Sequence, residues 1–289
     1  MSTSGSLSES EVWENGIPQG ELLPATSDND GGVIVDMQQP MDSDAFLTAL
    51  RTSMLEWKKQ GKRGVWIRLP IELANLVETA VREGFGYHHA EPTYLMLVYW
   101  IPKTENTLPA NASHRVGVGA IVFKENRELL VVQEKTGQFR GTGIWKIPTG
   151  IVEQGEDIFK AVVREVKEET GIDTEFLEVL GFRQSHKSFF EKSDIFIICM
   201  LRPLSFDLQM QEQEIDAVQW MPFEEYAAQP FAQKHEKFRY VTELCSAKLD
   251  RAYAGFFPQP ISSSASIDGL SYFYFNNKNL HQPSSADPS

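Results

Sequence analysis

Short apolar runs alternate along this chain with stretches whose apolar residues recur every three or four positions. That is the pattern of strands alternating with amphipathic helices. In the first third, residues 32–37 predict a strand. Phe46, Leu47, Leu50, Met54 and Trp57 follow at helical spacing, and Asp42 or Ser43 can cap a helix running to about Lys59. Residues 64–69 predict a second strand. Pro70 then opens a helix carrying Leu73, Leu76, Val77, Ala80 and Val81. Gly84 and Gly86 end that helix, and residues 94–101 predict a buried strand. The predicted order is β-α-β-α-β.

Prolines and polar residues mark 104–114 as a linker. Beyond it, 116–123 and 129–133 predict the strands of a hairpin, and 145–148 lead into a segment with helical periodicity. Strands follow at 175–182, 195–201 and 217–221, then a helix at about 223–228. A last helix, about 234–247, carries Phe238, Val241 and Leu244 on one face. The Ser-rich residues 1–30 predict a disordered tail, and the polar residues 257–289 a carboxy-terminal tail. Between them lie two domains, at 31–103 and 115–256.

The segment between these two groups of strands carries the chemistry. Residues 150–172 read GIVEQGEDIFKAVVREVKEETGI, which fits G-x5-E-x7-R-E-U-x-E-E-x-G-U, with U aliphatic, at every position. At ordinary residue frequencies such a match arises by chance on the order of once in a few million chains. A helix over about 156–170 puts Glu165, Glu168 and Glu169 on one face. Ile158, Val162 and Val166, with Phe159 and Val163, form an adjacent apolar stripe that must dock on a sheet. Like charges at this spacing weaken a bare helix, but clustered carboxylate oxygens suit a hard divalent cation. The fork of Arg164 can hold a carboxylate in one rotamer, and Gly171 is placed to stop the helix.

Composition narrows the picture. The 289 residues suffice for two modest domains, and the net charge is −13 with no run of Lys or Arg. That balance disfavours nonspecific binding to nucleic acid or acidic lipid. No apolar run reaches membrane-spanning length, and the first residues show neither a secretory nor a transit composition; the cytoplasm is the expected location. Cys199 and Cys245 have no metal-ligand spacing, and Cys199 sits in an apolar run as a core residue would.

The segment at 150–172 is the Nudix box, so the chain resembles a Nudix hydrolase. GVWIRLP, GYHHAEPTYLMLVYWIP, LPANASHRVGVGA, FRQSHK and WMPFEEY narrow the resemblance to the plant ADP-ribose/NADH diphosphatase branch. It spans roughly residues 31–256, with no departure in the box. The resemblance implies an α/β fold: a Nudix α/β/α sandwich with a mixed sheet, preceded by a small pre-Nudix domain like half of an acetyltransferase. It also implies Mg²⁺ or Mn²⁺ dependence, homodimers, and cleavage of ADP-ribose or NADH.

On this reading Glu165 and Glu169 ligate the metal and Glu168 completes the site. Nudix enzymes often draw their general base from a loop outside the box. Glu214 and Glu212 are candidates, as is Glu168. Phe139, Trp145, Phe189 and Phe190 are candidates to stack on a base, and Lys187 to meet a phosphate. His186, His88 and His89 read as structural. Two alternatives stay open: another diphosphate substrate (an oxidised nucleotide, coenzyme A or a sugar nucleotide), or a sensor that binds a nucleotide without cleaving it. Intact box glutamates weigh against the sensor.

Overall fold

Asp42 accepts backbone N–H bonds from Asp44 and Ala45, so the first helix, α1 (Ser43–Lys59), begins where its capping residue predicts. The computed structural model describes residues 21–250, 253–263 and 269–276, and the chain divides into two compact units, 1–112 and 113–289.

The first unit holds β1 (Thr26–Ser27), β2 (Val33–Asp36), β3 (Gly64–Pro70), β4 (Gly86–Glu91) and β5 (Tyr94–Trp100) in one sheet of order β1-β2-β3-β5-β4. β2 and β3 are parallel and the other pairs antiparallel. Phe46 and Leu50 of α1 pack with Val65, Ile67, Leu76 and Leu97 in a single core.

Three expectations change here. The helix after Pro70 starts as a 3₁₀ turn, Ile71–Leu76, and becomes α2 only at Val77–Arg82. The two glycines after it do not merely stop the helix, because Gly86 opens β4. The predicted tail is ordered from residue 21: Leu23 is buried, its N–H donates to Ser53 Oγ at 2.8 Å, and Thr26–Ser27 pair with β2. One buried leucine and two backbone pairings leave no periodic pattern, so polarity alone misleads there. The rest of that tail, residues 1–20, lies outside the described residues.

In the second unit β8 (Thr149–Ile151), β6 (His114–Val122), β10 (Lys192–Pro203) and β9 (Thr174–Phe189) form a mixed sheet in that order. β6 and β10 run parallel. β7 (Glu128–Glu134) pairs antiparallel with β11 (Ile215–Pro222). The expected β6–β7 hairpin is only a tight turn closed by a Phe123–Leu129 bridge, after which the two strands enter different sheets. Turn chemistry alone does not distinguish these outcomes.

Strand alternation divides the core into two layers. Val118, Ala120, Val122, Ile197 and Cys199 face α3 (Ile158–Thr170), meeting Ala161, Val162 and Val166. Burial among them pushes the Cys199 thiol up to about 12. Ile121, Phe123, Leu129 and Val131 face the other way, toward Tyr226 of α4 (Phe223–Ala228) and Cys245 of α6 (Glu236–Leu249). A short α5 (Pro230–Lys234) joins those helices. The result is an α/β/α arrangement.

The predicted carboxy-terminal tail contains a hairpin, β12 (Phe257–Ser262) and β13 (Leu270–Phe275). Tyr274 packs on the α3 side of the core, Tyr272 stacks edge-on against Phe159, and Phe256 bridges Val179. Glu178, almost wholly buried, ties this segment down. It pairs with Lys248 and accepts from Gly255 N at 2.5 Å. The aromatic alternation of SYFYF was the available signal for the hairpin.

Removing one member of a buried pair strands the other charge. Glu178→Ala is therefore expected to cost about 3 kcal/mol in urea unfolding of the full chain. A loss below about 0.5 kcal/mol, the size of an ordinary surface change, would refute this anchoring role.

Candidate active site

The site is built where α3 meets the edge strand β8. Gly171, with φ of 75°, terminates α3 in the left-handed conformation that glycine tolerates. The α3 stripe of Val162 and Val166 locks the helix onto the sheet and brings its acidic face to β8. Gly150 makes close approach possible: a Cβ there would lie 1.8 Å from Glu165 Cδ. The Glu165 carboxylate accepts from Ile151 N at 3.2 Å, and Glu169 accepts from Thr149 N at 3.2 Å. Two glutamates one turn apart thus grip one three-residue strand.

Arg164 organises the outer side. Its Nε and Nη2 donate to Glu156 at 2.8 and 2.9 Å, and its Nη1 donates to Glu165 at 2.9 Å and Glu168 at 3.0 Å. Nη2 also donates to the Ile151 carbonyl at 3.0 Å. The Arg164 bonds hold Glu156 below the usual carboxylate range. Burial pushes Glu165 up, against the pull of Arg164. Glu169 is pushed up to about 8, chiefly by burial, with Glu165 and Glu134 adding repulsion and Lys146 and Thr149 N opposing it.

Lys146 is the buried counter-charge. Its Nζ lies 2.5 Å from Glu134 and 2.7 Å from Thr149 Oγ1. Lys146 bridges Val132 of β7, so the ion pair fastens the β7–β11 pair to the edge of the four-stranded sheet. A lysine inside the apolar WKIP run was the sequence signal for this group, and it was missed.

Two cavities meet at this edge. The larger, about 760 Å³, lies between the sheet and α6, with Phe139, Phe238 and Tyr240 in its wall. Phe139 stacks edge-on with Phe231 and Phe238. The smaller, about 340 Å³, is lined by Arg115, Asp194, Gly150 and Ile151. Glu134, Thr149, Arg183 and Phe196 border both. Phe196 was also missed. Its ring lies over Gly117 and Gly119, where a Cβ would come within 3.2 and 2.7 Å of it, so the glycine alternation in RVGVGA is the trace it leaves in the sequence.

The sequence candidates separate. Glu165, Glu168, Glu169 and Arg164 come together, and Phe139 lines the larger cavity. Trp145 packs on the core, and its backbone N–H donates to Gln229 Oε1 at 2.9 Å. Lys187, Phe189 and Phe190 sit exposed at the β9–β10 turn and line neither cavity, although Phe189 stacks under Arg115 at the rim of the smaller one. His186 bonds Ser193 Oγ at 2.9 Å. His88 and His89 belong to the first unit and contact Trp66 and Tyr94. The loop before β11 docks on the last turn of α3, where Gln209 N and Gln211 N donate to the Thr170 and Glu169 carbonyls. Glu214 N donates to Gln211 Oε1, the Glu212 carbonyl accepts from Lys135 Nζ, and neither glutamate lines either cavity.

The Nudix hydrolase domain family matches residues 23–101, and the NUDIX domain family matches residues 113–241. Nudix hydrolase 2 of Arabidopsis thaliana is 58% identical over 260 residues, 90% of this chain and 92% of its own. The chain belongs to the Nudix hydrolase family. Nudix hydrolase 10 of the same plant is 56% identical over 264 residues, 91% of this chain and 93% of its own. The structure of a Nudix hydrolase from Nitrosomonas europaea covers 55% of this chain and 97% of its own, at 20% identity and a TM-score of 0.40. Nudix hydrolases act on compounds built on a nucleoside diphosphate and generally use divalent cations.

The carboxylate oxygens fit such a cation. They are hard donors at one edge, and the burial that raises Glu169 is offset by a positive ion beside it. In the conformation described, Arg164 holds Glu165 and Glu168, and among the described residues no three acidic, His or Cys side chains converge as a finished metal site. Gly150→Ala forces Glu165 off β8. The expected result is a roughly 100-fold loss of kcat, the scale of a 1 Å misplacement, with an unchanged circular dichroism spectrum. Full activity in the folded variant would show that the Glu165–Gly150 contact is dispensable.

Proposed function

We propose that this chain hydrolyses the diphosphate bond of ADP-ribose, giving AMP and ribose 5-phosphate, and that NADH is a second substrate, giving AMP and reduced nicotinamide mononucleotide. One observation carries the reading: an aromatic-walled cavity of about 760 Å³ opens directly onto the edge strand that the box glutamates grip. Its size suits a nucleotide, and Phe139, Phe238 and Tyr240 offer faces to a planar base.

In this reading Glu165 and Glu169 hold Mg²⁺ or Mn²⁺, with Glu168 completing the site. The bound ion supplies charge neutralisation at the diphosphate and a more acidic attacking water. Arg164 sets the glutamate rotamers through its bonds to Glu156, Glu165 and Glu168. Lys146 keeps positive charge beside Glu169 and Thr149. Glu214 takes the proton from water, carried by the loop that docks on the last turn of α3. The wall of the cavity keeps the base end of the substrate out of water. Positioning and electrostatics dominate such a reaction.

Product chromatography tests this. ADP-ribose, NADH, NAD, FAD, coenzyme A and an oxidised nucleoside triphosphate are compared at one low concentration in Mg²⁺. The expected outcome is AMP from ADP-ribose at the highest kcat/KM, with NADH next. EDTA stops turnover, and Glu169→Gln lowers kcat by roughly 100-fold. Activity of Glu169→Gln within threefold of wild type would sink the metal assignment. Preferential cleavage of another compound in the panel would replace the substrate. Tight ADP-ribose binding without turnover would favour the sensor.

A further inference from the structure

Of the cations lining the two cavities, Arg183 on the sheet and Lys237 on α6 make no side-chain bond among the described residues, and of these two only Arg183 lines both cavities. Arg115 is bonded to Asp194, with Nε 3.1 Å from Oδ1, and Lys146 is bonded to Glu134 and Thr149. Among the described residues, the Arg183 guanidinium makes no hydrogen bond and no ion pair; it feels Asp194 only as a nearby charge. A guanidinium offers five donors in a planar fork, and leaving them unused beside a cavity wall forgoes strong bonds.

The sheet register explains where that fork points. Arg183 pairs with Phe196, Phe196 with Gly117, and Gly117 with Ile151. Side chains of directly paired residues share a face. The next row runs Gly181, Ile198, Gly119 and Thr149. Both rows lie on the cavity side, while Gly150, between Thr149 and Ile151, faces α3 and its glutamates. The floor therefore starts at the strand held by Glu165 and Glu169 and ends at Arg183, three strand spacings away, or roughly 14 Å between backbones. Phe196 fills the middle with its ring over Gly117 and Gly119, and Gly181 leaves open space beside Arg183.

We propose that Arg183 is a substrate-binding residue whose guanidinium takes phosphate oxygens of the nucleoside diphosphate, opposite the glutamate edge. This rests on the substrate class proposed above and extends it. One end of the diphosphate is served by the glutamate edge and the other by a fixed organic cation. A chain of net charge −13 repels a dianionic substrate at long range, so a local unpaired cation has a clear use. A planar fork also selects two oxygens of one phosphate, which a lysine cannot do.

The test is calorimetry of ADP binding in EDTA, with Arg183→Gln, Arg183→Lys and, as control, Arg82→Gln in the first unit. ADP carries the diphosphate whatever group lies beyond it. The expected result is a Kd at least roughly 10-fold weaker for Arg183→Gln, the value of a charged hydrogen bond. Arg183→Lys should fall in between, and the control should be unchanged. In turnover, Arg183→Gln should raise KM for ADP-ribose by the same factor while kcat stays within threefold. A merely structural arginine would lower the melting temperature and leave KM alone. ADP affinity of the folded Arg183→Gln protein within twofold of wild type overturns the proposal, as does wild type that fails to bind ADP at millimolar concentration. Arg183-dependent ADP binding in a protein that cleaves neither ADP-ribose nor NADH would leave Arg183 assigned and refute the substrate instead.

Discussion

The burial of two carboxylates against a three-residue edge strand is the constraint on which the second unit is built. Glu165 and Glu169 accept backbone N–H groups from either side of Gly150, so β8 is held by side chains from α3 as much as by its ladder to β6. Carboxylates taken out of water demand compensation. Arg164 supplies it on the outer side and Lys146 on the inner. The compensation is incomplete, as the upward displacement of Glu169 to about 8 shows. A carboxylate whose charge is disfavoured by burial gains from a cation beside it, the electrostatic condition under which a divalent ion binds.

The same edge joins two faces of one sheet. Strand alternation puts Gly150 toward α3 and Thr149 and Ile151 toward the cavities, so the box glutamates and the cavities approach the same strand from opposite sides. Glycine serves both faces by absence of a side chain. Gly150 admits a carboxylate, and Gly117 and Gly119 admit the Phe196 ring. Lys146 and Glu134 then tie the β7–β11 pair to that edge, which keeps the two sheets in register around the cavity seam.

An acidic chain that handles an acidic substrate must concentrate its positive charge. Arg115, Lys146 and Arg183 all border the cavities, while the other face of the edge carries the glutamates. Arg115 and Lys146 are already paired with carboxylates, so Arg183 leaves an unpaired guanidinium on the sheet. The carboxy-terminal hairpin and the Glu178–Lys248 pair hold the β9 end of this arrangement, the strand that carries Arg183.

Local chemistry made the box legible without coordinates. The spacing of Glu165, Glu168 and Glu169, the apolar stripe of Val162 and Val166 and the stop at Gly171 all repeat with the helical period, and a helix is a local object. The capped α1, β3 and β10 were legible for the same reason. What needed tertiary structure was every relation between distant segments. Arg183 meets Phe196 only because of strand register, and Lys146 meets Glu134 only because β7 leaves β6 for another sheet. β12 and β13 are strands because the α3 face of the sheet offers Tyr274 a place to bury. Lys187 and Phe189 look as suitable in the sequence as Phe139 does. Chain composition says which side chains can bind a nucleotide, but only strand pairing, such as Phe196 with Arg183 and with Gly117, decides which of them face the same space.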